Sequence, residues 1–272
     1  MSESRNLNDI RYTIYDVRNM MDKHKLFKYC FGCEPGKIAP TVVMTPFLAP
    51  EKFQEHGAVE HTFKGRLYSG ATIAKSGRKF TVIKCGIGSL PAGDATLLLD
   101  LTAAESLIFA GSCGGFGGCK TGDLIVCESV FNGEGFSRYH KHGFKIDDIF
   151  KSEDFISADP DHTESYRDFM LGKVSDSSII KVGDIFTTGS LMAEKPEALS
   201  AMAAKGFKGI DMELSAVYHA AEVIDMKAAG ILIVSDLPLD KPVWEEMARG
   251  EKSRYNSTMR ELVRYTSEFA LK

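Results

Sequence analysis

The chain has 272 residues, 33 Lys and Arg against 37 Asp and Glu for a formal charge of −4, and 44% hydrophobic residues. That length buries a sizeable core within one α/β domain without disulfide or metal staples. Slight net acidity with no basic block leaves no electrostatic footprint for nucleic acid or an anionic membrane, so the expected partner is a small molecule or a protein.

In residues 1–40, Ile10, Ile14, Val17, Met20 and Met21 fall at near-helical spacing, which predicts a helical N-terminal extension used for packing or subunit contact. The opening MSESRNLNDIRYTIYD has neither a charged leader with an apolar core nor a small-residue cleavage signal. No apolar run approaches the ~20 residues that span a bilayer, and a soluble, unprocessed protein is expected. Cys30 and Cys33 form a lone Cys-x-x-Cys, whereas a structural zinc site takes four ligands and no second pair follows. Together with Cys85, Cys113, Cys119 and Cys127 they lack the dense spacing of a disulfide scaffold, which favours a reducing cytoplasm.

From residue 41 onward, short β-rich runs alternate with helix-like segments. The strands expected are TVVMTPF (41–47), FTVIKCGIG (80–88), SLIFAGSCGG (106–115), DLIVCESVF (123–131), IIKVGDIFTTG (179–189) and AAGILIVSD (228–236). Several are apolar on both faces, as a sheet covered by helices on both sides requires. Helices are expected over 91–105, which opens with proline, over 213–225, and over a closing segment, 244–272. This alternation predicts one α/β domain over 41–272, with a mixed, mostly parallel sheet flanked by helices.

In such a sheet ligands bind at the carboxyl ends of strands, so polar residues closing apolar runs carry the interest. Four closures stand out: Gly86, Gly88 and Ser89; Ser112 to Gly118; Asp184 to Ser190; and Ser235 with Asp236. Beside them IDMELSA (210–216) sets a methionine between two carboxylates at a helix start. Each has a plainer reading. Glycines after strands make turns, Asp236 caps a turn, Glu213 complements a helix dipole, and Phe186 fills core.

Taken in order, GIG, GSCGG, EGFS (134–137), GDIFTTGS, DMELSA and VSD resemble the superfamily of purine nucleoside and uridine phosphorylases, which also holds methylthioadenosine/S-adenosylhomocysteine nucleosidases and AMP nucleosidases. The resemblance spans about residues 41–270 and implies a phosphorylase-like, partly barrel-like fold. It implies that Glu213 accepts hydrogen bonds from sugar hydroxyls while Met212 packs under the sugar. Asp236 matches the aspartate that protonates a purine, with Ser235 beside it on the base side, and Phe186 matches the ring stacked on the base. His140 falls near the sugar's 5′-hydroxyl and Arg138 where a 5′-phosphate is reached.

The chemistry explains these residue types. Breaking a ribosyl C–N bond builds positive charge on the sugar and negative charge on the leaving base, so a base protonated on a ring nitrogen leaves more easily. Asp236 must therefore hold a proton near neutral pH, which desolvation at the end of ILIV favours, while Glu213 is expected to stay ionised.

The attacking group separates two reactions. The resemblance places an arginine two residues before the strand-end glycine in phosphorylases, where this chain has Phe109; the loop TPFLAPEKF (45–53) offers only Lys52. Arg66 remains at the spacing of an arginine supplied by a neighbouring subunit, and Arg138 in GFSRYH is expected within reach of the nucleophile or phosphate loop. Gly88, Ser112, Cys113 and Gly114 are expected to form the nucleophile or phosphate loop, and Glu51 lies near the position from which nucleosidases activate water. Hydrolysis is thus favoured over phosphorolysis, in which inorganic phosphate is co-substrate. A third reading is a nucleoside-binding or storage protein that has lost catalysis. No cofactor or metal is expected, because no Rossmann fingerprint or metal-ligand spacing occurs, and the resemblance implies a homo-oligomer.

Overall fold

The computed structural model describes residues 22–134 and 155–272, so the helical reading of Ile10 to Met21 lies outside the described residues. Six helices follow along the described chain: α1 (Lys23–Phe31), α2 (Ser89–Leu98), α3 (Pro160–Leu171), α4 (Pro196–Ala204), α5 (Leu214–Val223) and α6 (Arg249–Ala270). The strands are β1 (Thr41–Thr45), β2 (Ala58–Lys64), β3 (Ser69–Lys75), β4 (Arg78–Lys84), β5 (Ser106–Gly115), β6 (Leu124–Gly133), β7 (Phe155–Ser157), β8 (Ile180–Thr188), β9 (Gly209–Asp211) and β10 (Lys227–Asp236).

The sheet is mixed. β4, β1, β5 and β10 run parallel as neighbours, and β2 and β3 add an antiparallel wing on β4. β10 also pairs antiparallel with β6, β6 runs parallel to β8, β8 parallel to β9, and β9 returns antiparallel to β5. Strands β5, β10, β6, β8 and β9 therefore close a ring, as the partly barrel-like expectation requires, while β1 to β4 extend from it as an open sheet.

Strand alternation divides the apolar side chains between two layers. On one face Val42, Phe109, Ile125, Leu232 and Val234 meet Ala92, Ala95, Val217 and Ala221 of α2 and α5. On the other, Val43, Ile108, Val126, Ile231 and Ile233 meet Tyr166 and Met170 of α3 and Leu262 and Val263 of α6. Each such side chain contributes about 1.5–3 kcal/mol on full burial. Helix α1 joins the first layer. Asp22 caps it through the Lys25 N–H, Phe27 and Phe31 stack at 4.4 Å, and Phe31 lies 4.7 Å from Tyr68. Cys30 and Cys33 are packed in this core, and burial pushes the Cys33 thiol up to about 11.

Candidate active site

β9 ends at Asp211 and α5 begins at Leu214, leaving Met212 and Glu213 in the turn between them. Asp211 holds that turn. Its Oδ2 accepts from the backbone N–H groups of Glu213 at 3.1 Å and Leu214 at 2.7 Å, and its Oδ1 from the Thr187 hydroxyl at 2.6 Å. Thr187 in turn accepts from the Ser215 N–H at 3.1 Å, and the Ser215 hydroxyl donates to Glu134 at 3.0 Å. Sequence reasoning noted Asp211 and Glu134 within motifs but gave them no role; the carboxylate two residues before Glu213 was the available signal.

Glu213 is buried, and its Oε1 accepts from the Gly88 N–H at 2.6 Å. Gly88 caps α2 at φ 108°, a conformation that side chains disfavour, and this turn aims its N–H at the carboxylate. The next residue adds a second tie, the Ser89 hydroxyl donating to the Met212 carbonyl at 2.7 Å. Burial first, and then the Asp211 carboxylate, push the Glu213 carboxyl well above its ordinary range, outweighing the Gly88 N–H that favours the charge. Burial and the neighbouring Asp211 therefore run against the expectation that Glu213 stays ionised.

Asp236 ends β10, half-buried. Desolvation raises its pKa, against hydrogen bonds from Ser235 and the Val243 backbone that lower it. The Ser235 hydroxyl lies 2.6 Å from Asp236 Oδ1 and 3.1 Å from the Cys113 carbonyl. Glu194, in the loop before α4, is a further half-buried carboxyl near Asp236; burial and then the Asp236 charge push it up to about 7. Nothing in GSLMAEKP marked it in the sequence.

Phe186 and Thr187 are adjacent on β8 and face opposite ways. Thr187 joins the carboxylate network, whereas the Phe186 ring stacks on Phe131 at 5.2 Å and meets Phe207 edge-on at 5.7 Å. These rings, with Phe155, line a cavity of about 570 Å³. Ser112 is half-buried and Cys113 buried, its thiol pushed far above the usual range by desolvation. A Cβ on Gly114 would sit 2.3 Å from Pro238, so the strand and the loop after Asp236 meet there without a side chain between them. Beyond Phe116, Gly117 and Gly118 have φ of 58° and 82° and make a tight turn closed by the Cys119 N–H on the Phe116 carbonyl.

Other expected residues fall elsewhere. Glu51 is exposed in a 3₁₀ turn (Pro50–His56) and lines a cleft of about 440 Å³ with Gln54, Lys64 and Lys84, a cleft whose wall includes neither Glu213 nor Asp236. Arg66 is exposed in the turn joining β2 to β3, its N–H donating to the Tyr29 carbonyl. Phe109 is fully buried. Arg138 and His140 lie outside the described residues. Among the described residues no cluster of three His, Cys, Asp or Glu is placed to hold a metal ion, and no helix is long and apolar enough to cross a membrane.

Residues 42–264 match the model of the phosphorylase superfamily. The chain belongs to this superfamily. It is 27% identical over 248 residues to a DeoD-type purine nucleoside phosphorylase of Brevibacillus brevis, covering 88% of this chain and 97% of that protein. A DeoD-type 2 enzyme of Vibrio cholerae is 28% identical over 231 residues, covering 81% and 87%. The fold is shared with uridine phosphorylase from Vibrio fischeri ES114, with a TM-score of 0.70 at 22% identity over 86% of this chain and 90% of that one. It is shared also with AMP nucleosidase from Bacteroides thetaiotaomicron, with a TM-score of 0.64 at 19% identity over 89% and 97%. In this superfamily member the strand ends of β5, β9 and β10 carry Cys113, Asp211 and Asp236 to one end of the closed ring.

Proposed function

We propose that this chain cleaves the N-glycosidic bond of a purine nucleoside or nucleotide, with water as the attacking group. The observation that carries the reading is the pair of carboxyls at these strand ends. Glu213 is fixed by the Gly88 N–H, and Asp236 is half-buried and inclined to hold a proton. Asp236 gives that proton to a ring nitrogen of the base as the C–N electron pair leaves with it. Glu213 accepts from the sugar hydroxyls, and Met212 packs beneath the sugar. Ser235 takes the base side. Gly88, Ser112, Cys113 and Gly114 shape the floor beneath the nucleophile.

Water is favoured because the side chain at the position of the phosphate-gripping arginine is Phe109, fully buried and without charge. The second reading, phosphorolysis with Arg66 supplied by a neighbouring copy, is supported by the names of the DeoD-type relatives. The reaction as proposed uses no cofactor, and phosphate enters only in the second reading. A homo-oligomer is proposed from the exposed Leu67 beside Arg66, and a reducing cytoplasm from six free, buried cysteines.

The test is product analysis. Adenosine, inosine, 5′-methylthioadenosine and AMP are incubated with the protein, with and without inorganic phosphate. Free ribose, or its 5′-substituted form, released at the same rate in both is the expected result. Phosphate-dependent ribose 1-phosphate overturns hydrolysis in favour of the second reading.

A further inference from the structure

The ladder between β10 and β5 slips at the functional end. Val234 is opposite Cys113 and Asp236 opposite Gly114, so Ser235 is an extra residue in a bulge. In a regular strand Ser235 and Asp236 point to opposite faces. The bulge re-aims them until the Ser235 hydroxyl reaches both Asp236 Oδ1 at 2.6 Å and the Cys113 carbonyl at 3.1 Å. A serine hydroxyl has one proton, and a carbonyl oxygen only accepts, so this hydroxyl cannot donate fully to both oxygens at once.

We infer that Ser235 is a positioning residue for the acid, its single hydroxyl proton shifting from the Cys113 carbonyl to Asp236 Oδ1 as Asp236 gives up its own proton. The inference rests on the proposed role of Asp236. Contact with Ser235 engages Oδ1 and leaves Oδ2 to carry the proton meant for the base. While Asp236 is neutral, Oδ1 is a weak acceptor and Cys113 competes for the hydroxyl. When the proton passes from Oδ2 to the base nitrogen, negative charge develops on the carboxylate and the Ser235 O–H turns to Oδ1. No heavy atom moves and no proton is gained or lost by Ser235. Hydrogen bonds to charged groups are the strong ones, so the stabilisation grows as the transfer proceeds.

Other groups also face Asp236: Glu194 from the loop before α4, Tyr255 from α6, the buried Cys113 thiol from β5, and the Val243 backbone. Glu194, when ionised, opposes charge on Asp236, whereas Ser235 and the Val243 backbone favour it.

The experiment is a pH–rate profile of Ser235→Ala, Ser235→Thr, Glu194→Gln and Asp236→Asn on the four substrates above. An acid that must be protonated loses activity as pH rises through its pKa, so the alkaline limb reports Asp236. Removing a donor to the carboxylate raises that pKa. Ser235→Ala is expected to lower kcat about tenfold, leave KM within about twofold, and move the alkaline limb up by about one pH unit. Ser235→Thr keeps the γ-hydroxyl and restores both. Glu194→Gln removes a like charge and moves the limb the other way, which separates the two neighbours. An unmoved limb in Ser235→Ala, or Ser235→Thr no better than alanine, overturns the inference even when Asp236→Asn abolishes turnover. Turnover retained in Asp236→Asn, or no turnover of any of the four by the wild type, overturns the reading of Asp236 and this inference with it.

Discussion

Glu213, proposed here to accept hydrogen bonds from a sugar, lies in a place that resists its charge. Burial and Asp211 raise its pKa, and Asp211, Asp236 and Glu194 are raised as well. A carboxyl with a raised folded-state pKa binds its proton more tightly folded than unfolded. It therefore adds stability while protonated, and that stability is lost as pH rises through the window between its ordinary and raised values. For Glu194 the window runs from 4.5 to about 7. The melting temperature of the ligand-free protein is expected to fall between about pH 5 and pH 7.5, and Glu213→Gln to flatten that fall. A Glu213→Gln slope as steep as that of the wild type contradicts the assignment. Asp236 is legible because it closes the apolar run AAGILIV and Glu213 because it opens a helix beside Met212, while their roles come from the family resemblance. Sequence reading missed the pressure on Glu213, because that comes from burial and from Asp211, which is turned back into the helix cap by Thr187.

At the level of elements, the glycine-rich end of β5 packs closely against the loop that follows β10. Gly114 lacks a Cβ because Pro238 occupies that space, so β5 sets the course of the loop that leaves Asp236. Gly114→Ala is expected to cost about 1–3 kcal/mol by overpacking and to displace Asp236, lowering turnover along with stability. Thermal unfolding beside kcat checks it, and a variant with wild-type values in both contradicts the packing role. The strands β1, β4, β5, β6, β8 and β10 were legible as short β-rich runs, several of them apolar on both faces. The β2–β3 wing was not, since β2 is largely exposed and shows no alternation to read, and α3 and α4 present too few buried side chains to set a helical period. The helix expected over 91–105 ends at Leu98 and tightens into a 3₁₀ turn through Leu101.

For the whole molecule, the closed ring decides where the chemistry sits, and its closure was the least visible feature in the sequence. It depends on β9, three residues long, which pairs with both β8 and β5. No periodicity distinguishes a strand of that length, and the order of motifs, rather than any pattern of hydropathy, carried the expectation of a barrel. Long-range pairing then delivers residues far apart in the chain, such as Gly88 and Glu213 or Cys113 and Ser235, to hydrogen-bond distance. Glu51 and Phe186 show the limit of reading by position: each falls at the expected place in the order, yet Glu51 opens on another cleft and Phe186 stacks on Phe131. The most direct measurement is turnover against equilibrium binding for Asp236→Asn with a purine nucleoside. A positioned general acid contributes about 10²–10⁴-fold, so turnover should fall by at least about 100-fold while affinity stays within a few-fold of wild type. Turnover unchanged in Asp236→Asn, or binding without turnover in the wild type, contradicts an acid at the end of β10.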